Sequence, residues 1–310
     1  MQDTRAFLAA LGLPQGDLYD LPSSEKRFPD GAQYRVEIPS TEGPNALLAV
    51  LEEAEKRDVR VHRISQGSGV MLLTDSEIRE MVKLGIEAQI EVSLFVGPRA
   101  AWEIGAQVLT PAGKNLGARH RGMDQVVYAI EDIKRACSLG IRSVLIADAG
   151  LLWVVGEMKK AGELPANLVC KISVQMGAAN PASVYLQETL GAGTYNVPTD
   201  LDLPKLAAIR AAVDIPLDIY VEVPDGFGGF IRHYEIGEIV RLMAPVYIKF
   251  GLRNSPDIYP CGTHIESTAI ALSRERVRRA EIGLDHLRRY YPEAVTSELG
   301  APGLGIPCAG

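Results

Sequence analysis

Six ionisable side chains, Glu37, Glu91, Asp148, Lys171, Glu222 and Lys249, fall in or at the end of short segments where apolar and polar residues alternate. Val36 and Ile38 flank Glu37, and Val92 and Leu94 alternate with Glu91 and Ser93. Cys170, Ile172 and Val174 alternate with Lys171, Ser173 and Gln175, and Ile248 and Phe250 with Tyr247 and Lys249. Ile219, Val221 and Val223 alternate with Asp218, Tyr220 and Glu222, and Asn196 lies between Tyr195 and Val197. A period of two is that of a β-strand, so one face of each segment is aliphatic and the other carries charge and amides. Carboxylates in such a place can act as general bases or metal ligands. A partly desolvated lysine has a lowered pKa and can add to a carbonyl carbon. An isolated buried charge costs several kcal/mol, so the set must pair within itself, bind a metal or line a wet pocket. The plainest alternative to a site is an interior salt-bridge network of Glu and Lys.

The loops that follow these segments add further candidates. Gln66-Gly67-Ser68-Gly69 could hold an anion on backbone amides, with Gln66 and Ser68 as substrate contacts. The long loop after the third segment brings Arg99, Arg119 and Arg121, suited to clamping an anionic group. Ser173, Gln175, Asn196 and Arg253 complete the predicted substrate-binding set. His264 and Glu266 are candidate ligands for a divalent metal, although the spacing dictates no third ligand. The chain has no Gly-x-Ser-x-Gly elbow and no His-Glu-x-x-His.

Eight strand segments carry these residues, at 34–39, 59–65, 88–96, 143–147, 168–174, 194–197, 217–223 and 246–250. Helical patterns separate them, and regular strand–helix alternation means parallel βαβ units. Eight such units predict an α/β fold, a single (β/α)8 TIM barrel over 34–291, which needs roughly 250 residues. An open doubly wound sheet is the other reading, but no Gly-x-Gly-x-x-Gly follows the first strand. Thr74, Asn180-Pro181 and Asp202 mark helix starts, and Gly85, Gly140 and Gly191 are expected just past helix ends. Residues 1–33 form an N-terminal extension, 273–291 a last helix rich in arginine, and 292–310 an irregular tail.

Among the 310 residues, 47% are hydrophobic and the net charge is −7, which argues against a nucleic-acid surface. Cys137, Cys170, Cys261 and Cys308 show no ligand spacing and read as reduced thiols. No apolar run reaches the ~20 residues of a membrane span, and no leader pattern is visible, so a cytoplasmic protein is expected.

One further signal is a resemblance. Asp148-Ala149-Gly150, Ser173-Val174-Gln175-Met176 with Asn180, Leu190-Gly191-Ala192 and Glu222-Val223 resemble motifs of the peptidase U32 (collagenase-like protease) family. The resemblance covers about a quarter of the chain and implies a barrel fold and a hydrolase acting on a peptide or small amide. Two departures stand out: Lys171 occupies a position where that family has histidine, and the family's cysteine signature after Glu222-Val223 is replaced by Pro224-Asp225-Gly226-Phe227-Gly228-Gly229. An iron–sulfur cluster is therefore not expected. Beside this hydrolase reading stand a lyase or aldolase-like enzyme using Lys171 or Lys249 on a small carbonyl or carboxylate substrate, and a non-catalytic barrel that binds a small acid. A small molecule or peptide is the expected partner, with a homo-oligomer left open.

Overall fold

The computed structural model describes residues 1–97, 106–111, 113 and 116–309. Eight parallel strands close into a barrel in chain order: β1 Tyr34–Pro39, β2 Arg63–Gln66, β3 Glu91–Phe95, β4 Ser143–Ile146, β5 Val169–Ile172, β6 Thr194–Asn196, β7 Leu217–Glu222 and β8 Val246–Phe250, with β8 paired to β1. Helix α1 (Gln2–Ala10) precedes the barrel. Helices α2 (Pro44–Lys56), α3 (Asp75–Ala88), α4 (Met123–Ser138), α5 (Ala149–Lys160), α6 (Pro181–Thr189), α7 (Leu203–Ala212), α8 (Ile236–Met243) and α9 (Glu266–Tyr290) wrap it. The fold is a TIM barrel.

The alternation seen in the sequence sorts the side chains. Val36, Ile38, Val92, Leu94, Cys170, Ile172, Ile219, Val221, Ile248 and Phe250 join one continuous core with the inner faces of the helices. That layer supplies the hydrophobic stabilisation, at about 25 cal/mol per Å² of apolar area buried. The opposite parity points to the barrel axis.

Local signals fix most helix starts. Thr74 and Glu77 form a reciprocal capping box at α3. Asp148, Asn180 and Asp202 accept from the third backbone amide of α5, α6 and α7. Gly140 and Gly191 adopt positive φ after α4 and α6, as expected. Gly85 does not end α3. The helix runs on to Ala88 and Gln89 takes the left-handed position, while Gly85 leaves room for Val92, which a β-carbon there would meet at 2.7 Å. The third strand accordingly begins at Glu91, later than predicted, and the second spans only Arg63–Gln66. The last helix begins at Glu266 rather than 273. Its arginines are not all a solvated face: Arg276 is buried and donates to Ser40 O at 3.0 Å.

Residues 11–33 run over α7 and α8, with Leu18 N bonded to Pro204 O and Ser24 N to Arg241 O. Phe28 then reaches the amino-terminal end of the barrel, where Arg35 lies 4.0 Å over its ring and Tyr247 meets it edge-on. The tail after α9 seals that end. Ser297 Oγ accepts from Arg35 Nε (2.8 Å), Pro302 O from Arg35 Nη2 (2.8 Å), and Gly305 N donates to Glu91 Oε2 (3.1 Å). His62 Nδ1 accepts from Val36 N (3.0 Å), which leaves its Nε2–H to donate to Ser297 O (2.9 Å). Among the described residues no helix is long and apolar enough to cross a membrane.

Candidate functional site

The barrel axis holds three carboxylates and three cations in mutual contact. Glu37 on β1 is the hub. Its Oε2 accepts from Arg63 Nε (2.8 Å) and Nη2 (2.5 Å). Its Oε1 takes the hydroxyl of Ser65 and lies 3.0 Å from Lys171 Nζ and 3.2 Å from Lys249 Nζ. Arg63 also reaches Asp218 Oδ1 (2.6 Å) and Glu91 Oε1 (3.6 Å), and stacks 3.5 Å from the Tyr247 ring centroid. Asp218 Oδ2 lies 3.5 Å from Lys171 Nζ and accepts from Thr194 Oγ1 (3.2 Å). Lys249 sits 4.3 Å from the centre of the Tyr220 ring. With its amide turned to suit both neighbours, Asn196 accepts from Lys249 Nζ at 2.7 Å and donates to Asp218 O at 3.1 Å. All six ionic side chains are buried.

Burial and pairing compete differently at each member. Burial raises the pKa of Glu37, but Arg63, Lys171 and Lys249 outweigh it and hold the carboxyl well below its usual range. Burial lowers the Arg63 pKa, but Asp218, Glu37 and Glu91 outweigh it and hold the guanidinium well above its ordinary value. At Lys171 burial wins: aided by Lys249 and Arg63, and only partly offset by Glu37 and Asp218, it brings the amine to about 8. About a tenth of such an amine is uncharged at pH 7, against well under a thousandth for a free lysine.

Of the predicted residues, Glu37, Glu91, Lys171, Lys249 and Asn196 converge on this axis. Glu222 does not follow the alternation. A β-bulge between Tyr220 and Glu222 sets it opposite Phe250, whereas the unbroken register from Tyr220 opposite Lys249 would set it opposite Gly251. Its Oε2 faces His233 Nε2 (3.8 Å) and Arg279 Nη1 (3.7 Å) of α9, and its Oε1 accepts from Arg253 N (3.0 Å). Asp148 caps α5 and also accepts from His120 N (3.1 Å). Burial raises its pKa but is outweighed by the His120 side chain and the amides of Leu151 and His120, so the carboxyl titrates well below its usual value.

The remaining predicted contacts are spent on the scaffold. Gln66 bonds both ways with the backbone of Gly69, and Ser68 Oγ accepts from Cys261 N (2.8 Å). Ser173 Oγ accepts from Gln175 N (3.3 Å), whereas Gln175 Oε1 is buried with no partner among the described residues. Arg253 pairs with Asp225 (3.2 Å), and Arg121 is exposed. Arg119 donates to Ala147 O and to Met176 O (2.7 Å). It thereby anchors a strap, 116–122, whose Ala118 packs on Phe95, Leu145 and Ala147 at the carboxyl mouth of the barrel. Arg99, Lys114 and Asn115 lie outside the described residues. His264 is exposed and Glu266 Oε1 accepts from Asn45 (2.8 Å). Among the described residues no three His, Cys, Asp or Glu side chains are grouped to hold a metal, so the expected pair gains no third ligand.

Arg63 and Asp218 are the members that sequence reasoning missed. On the second strand Arg63 and Ser65 share one parity and Ile64 the other, which is a readable signal. Two surface clefts lie away from the axis: one of about 370 Å³ between 22–26 and α7 and α8, and one of about 40 Å³ at the rim beside Glu42, Glu77, Cys261 and Glu266.

No family model and no curated protein matches the chain. Solved structures do. A U32 peptidase is 19% identical, over 66% of this chain and 74% of its own, with a TM-score of 0.40. A lyase/mutase-like protein from Burkholderia cenocepacia is 14% identical over 84% of each chain, with a TM-score of 0.46. A dimeric Rubisco from Hyperthermus butylicus is 12% identical over 87% of this chain and 68% of its own, with a TM-score of 0.47. At such identities the likeness is one of fold.

Proposed function

We propose that this protein is an enzyme that uses a buried lysine amine on a small carbonyl or carboxylate substrate at the carboxyl mouth of the barrel. One observation carries the reading: Lys171 and Lys249 share a single oxygen of Glu37, at 3.0 and 3.2 Å, inside a water-excluded axis that brings Lys171 to about 8. A neighbouring cation in a desolvated site is how a lysine is kept nucleophilic near neutral pH. In this reading the neutral Lys171 amine attacks the substrate carbonyl and water leaves as the C=N bond forms. Lys249 and Asn196 orient the substrate's polar end, and the 116–122 strap lifts to admit it. Borohydride trapping with a panel of small 2-oxo acids tests it: a mass adduct should map to Lys171 and vanish in Lys171→Arg. No adduct on either axial lysine with any carbonyl compound would overturn the reading, and a ligand-induced thermal shift without an adduct would favour a binding barrel instead.

A hydrolase of the U32 type is the second reading. It is favoured by the way Arg119 ties Asp148's strand end to the turn after β5, beside the unpartnered Oε1 of Gln175. That buried acceptor suits the N–H of a peptide or small amide. Amide cleavage lost in Gln175→Leu, with no borohydride adduct, would favour it.

A further inference from the structure

Three of the four free cysteines gather at the amino-terminal end of the barrel. Cys137 lies in the last turn of α4 and Cys170 at the start of β5, both buried, and Cys308 lies in the tail, half-buried. Gly140 joins the first and last of these. Its N–H donates to Cys137 O (3.1 Å) and its carbonyl accepts from Cys308 N (2.9 Å). The contact is close enough that a β-carbon at 140 would stand 2.2 Å from Cys308 O. The tail backbone thus lies directly against the end of α4, two hydrogen bonds from Cys137. We propose that Cys137 and Cys308 form a redox-active pair whose disulfide fastens the tail to α4. This inference is independent of the lysine chemistry.

Access orders the steps. Cys308 is the only one of the three that is not buried, so a peroxide meets it first. The Cys308 sulfur attacks one peroxide oxygen, the O–O bond breaks, and a sulfenic acid and water result. The Cys137 sulfur then attacks the Cys308 sulfur, the S–O bond breaks, and a second water departs with the Cys137 proton, leaving the disulfide. Burial pushes the Cys137 thiol up to about 11, so this second step accelerates in alkaline solution, where more thiolate is present. The consequence reaches the axis, because the same tail holds Gly305 N on Glu91 and Pro302 O on Arg35. A fastened tail keeps both ionic groups covered.

The reduced 310-residue chain, treated with hydrogen peroxide at pH 7 and pH 9, gives the test. The intact mass should fall by about 2 Da and reactive thiols from four to two. Trypsin separates the three cysteines into peptides 136–142, 161–171 and 290–310, so the bond maps directly and should join the first to the last. Bridging should be faster at pH 9, persist in Cys170→Ser and fail in Cys308→Ser, and the bridged protein should melt several degrees higher until dithiothreitol is added. A Cys137–Cys170 bridge, over-oxidised Cys308 without a bridge, or four intact thiols would overturn the pairing. A bridge that leaves the melting temperature unchanged would overturn the fastening.

Discussion

Replacing Glu37 by Gln tests the axial network at its hub. The substitution keeps the shape and leaves Arg63, Lys171 and Lys249 facing only Glu91 and Asp218, an excess of one positive charge in a dry interior. Breaking a buried ion pair by removing one partner costs about 3–5 kcal/mol, which is the loss expected at pH 6. The loss should depend on pH, because Lys171 can restore neutrality by releasing its proton. In the native protein its pKa, about 8, lies below the unfolded value of 10.5. The unfolded chain therefore binds more protons between those values, and stability rises with pH there by up to about 3 kcal/mol. Without Glu37 the folded-state value drops further, so the variant regains stability at lower pH and the gap to the native protein narrows by pH 9. Guanidinium unfolding followed by circular dichroism at pH 6 and 9 measures both gaps. A second substitution, Lys249→Met, rebalances the charges and should recover part of the loss at pH 6. A loss below about 1 kcal/mol, or one equal at both pH values, would refute the account of a coupled, charge-balanced axis.

Three other expectations follow from the same contacts. His62 is buried neutral, with burial the main cause of its pKa of about 4. The unfolded chain binds the extra proton between 6.5 and that value, so stability falls by up to about 3 kcal/mol as pH drops through this window; His62→Gln should flatten that slope in denaturant titrations at pH 7 and 4.5. Asp148→Asn keeps a competent cap on α5 but removes the carboxylate that faces His120. Since the Asp148 pKa is depressed, its contribution is present above the usual carboxylate range and lost as pH falls below it, so the melting temperatures of the two proteins should converge in acid. Thr74→Ala should cost about 1 kcal/mol by dismantling the α3 capping box, whereas Thr74→Ser should be nearly neutral, as read by chemical denaturation.

The barrel was legible because each strand announces its parity locally. Val36 and Ile38 against Glu37, or Cys170 and Ile172 against Lys171, leave one choice of inside and outside once the helices must be packed. Glu222 shows where this fails: a bulge adds one residue without any mark in the local pattern, and every side chain beyond it changes face. Gly85 misled for a related reason. A glycine at a helix end and one that admits a neighbouring strand look alike until Val92 is seen against it. The loop candidates were chosen by residue type, and type does not say whether a Ser or Gln is free. Gln66 is satisfied by Gly69 within its own turn, and Ser68 by Cys261, 193 positions away in a loop the local pattern does not show. The sealing role of 292–309 was likewise invisible, since the tail works mostly through its backbone.

The seal also bears on how the polypeptide matures. Arg35 and its partner Ser297 are 262 positions apart, and Glu91 waits 214 positions for the Gly305 amide. At about 5–20 residues per second, a ribosome needs on the order of 10–40 s to travel from Glu91 to Gly305. During that interval a nascent chain carries ionic groups whose permanent companions have not yet been translated. Water or a chaperone must attend them until Ser297 and Gly305 emerge, and only then can the ring of strands lock as one cooperative unit.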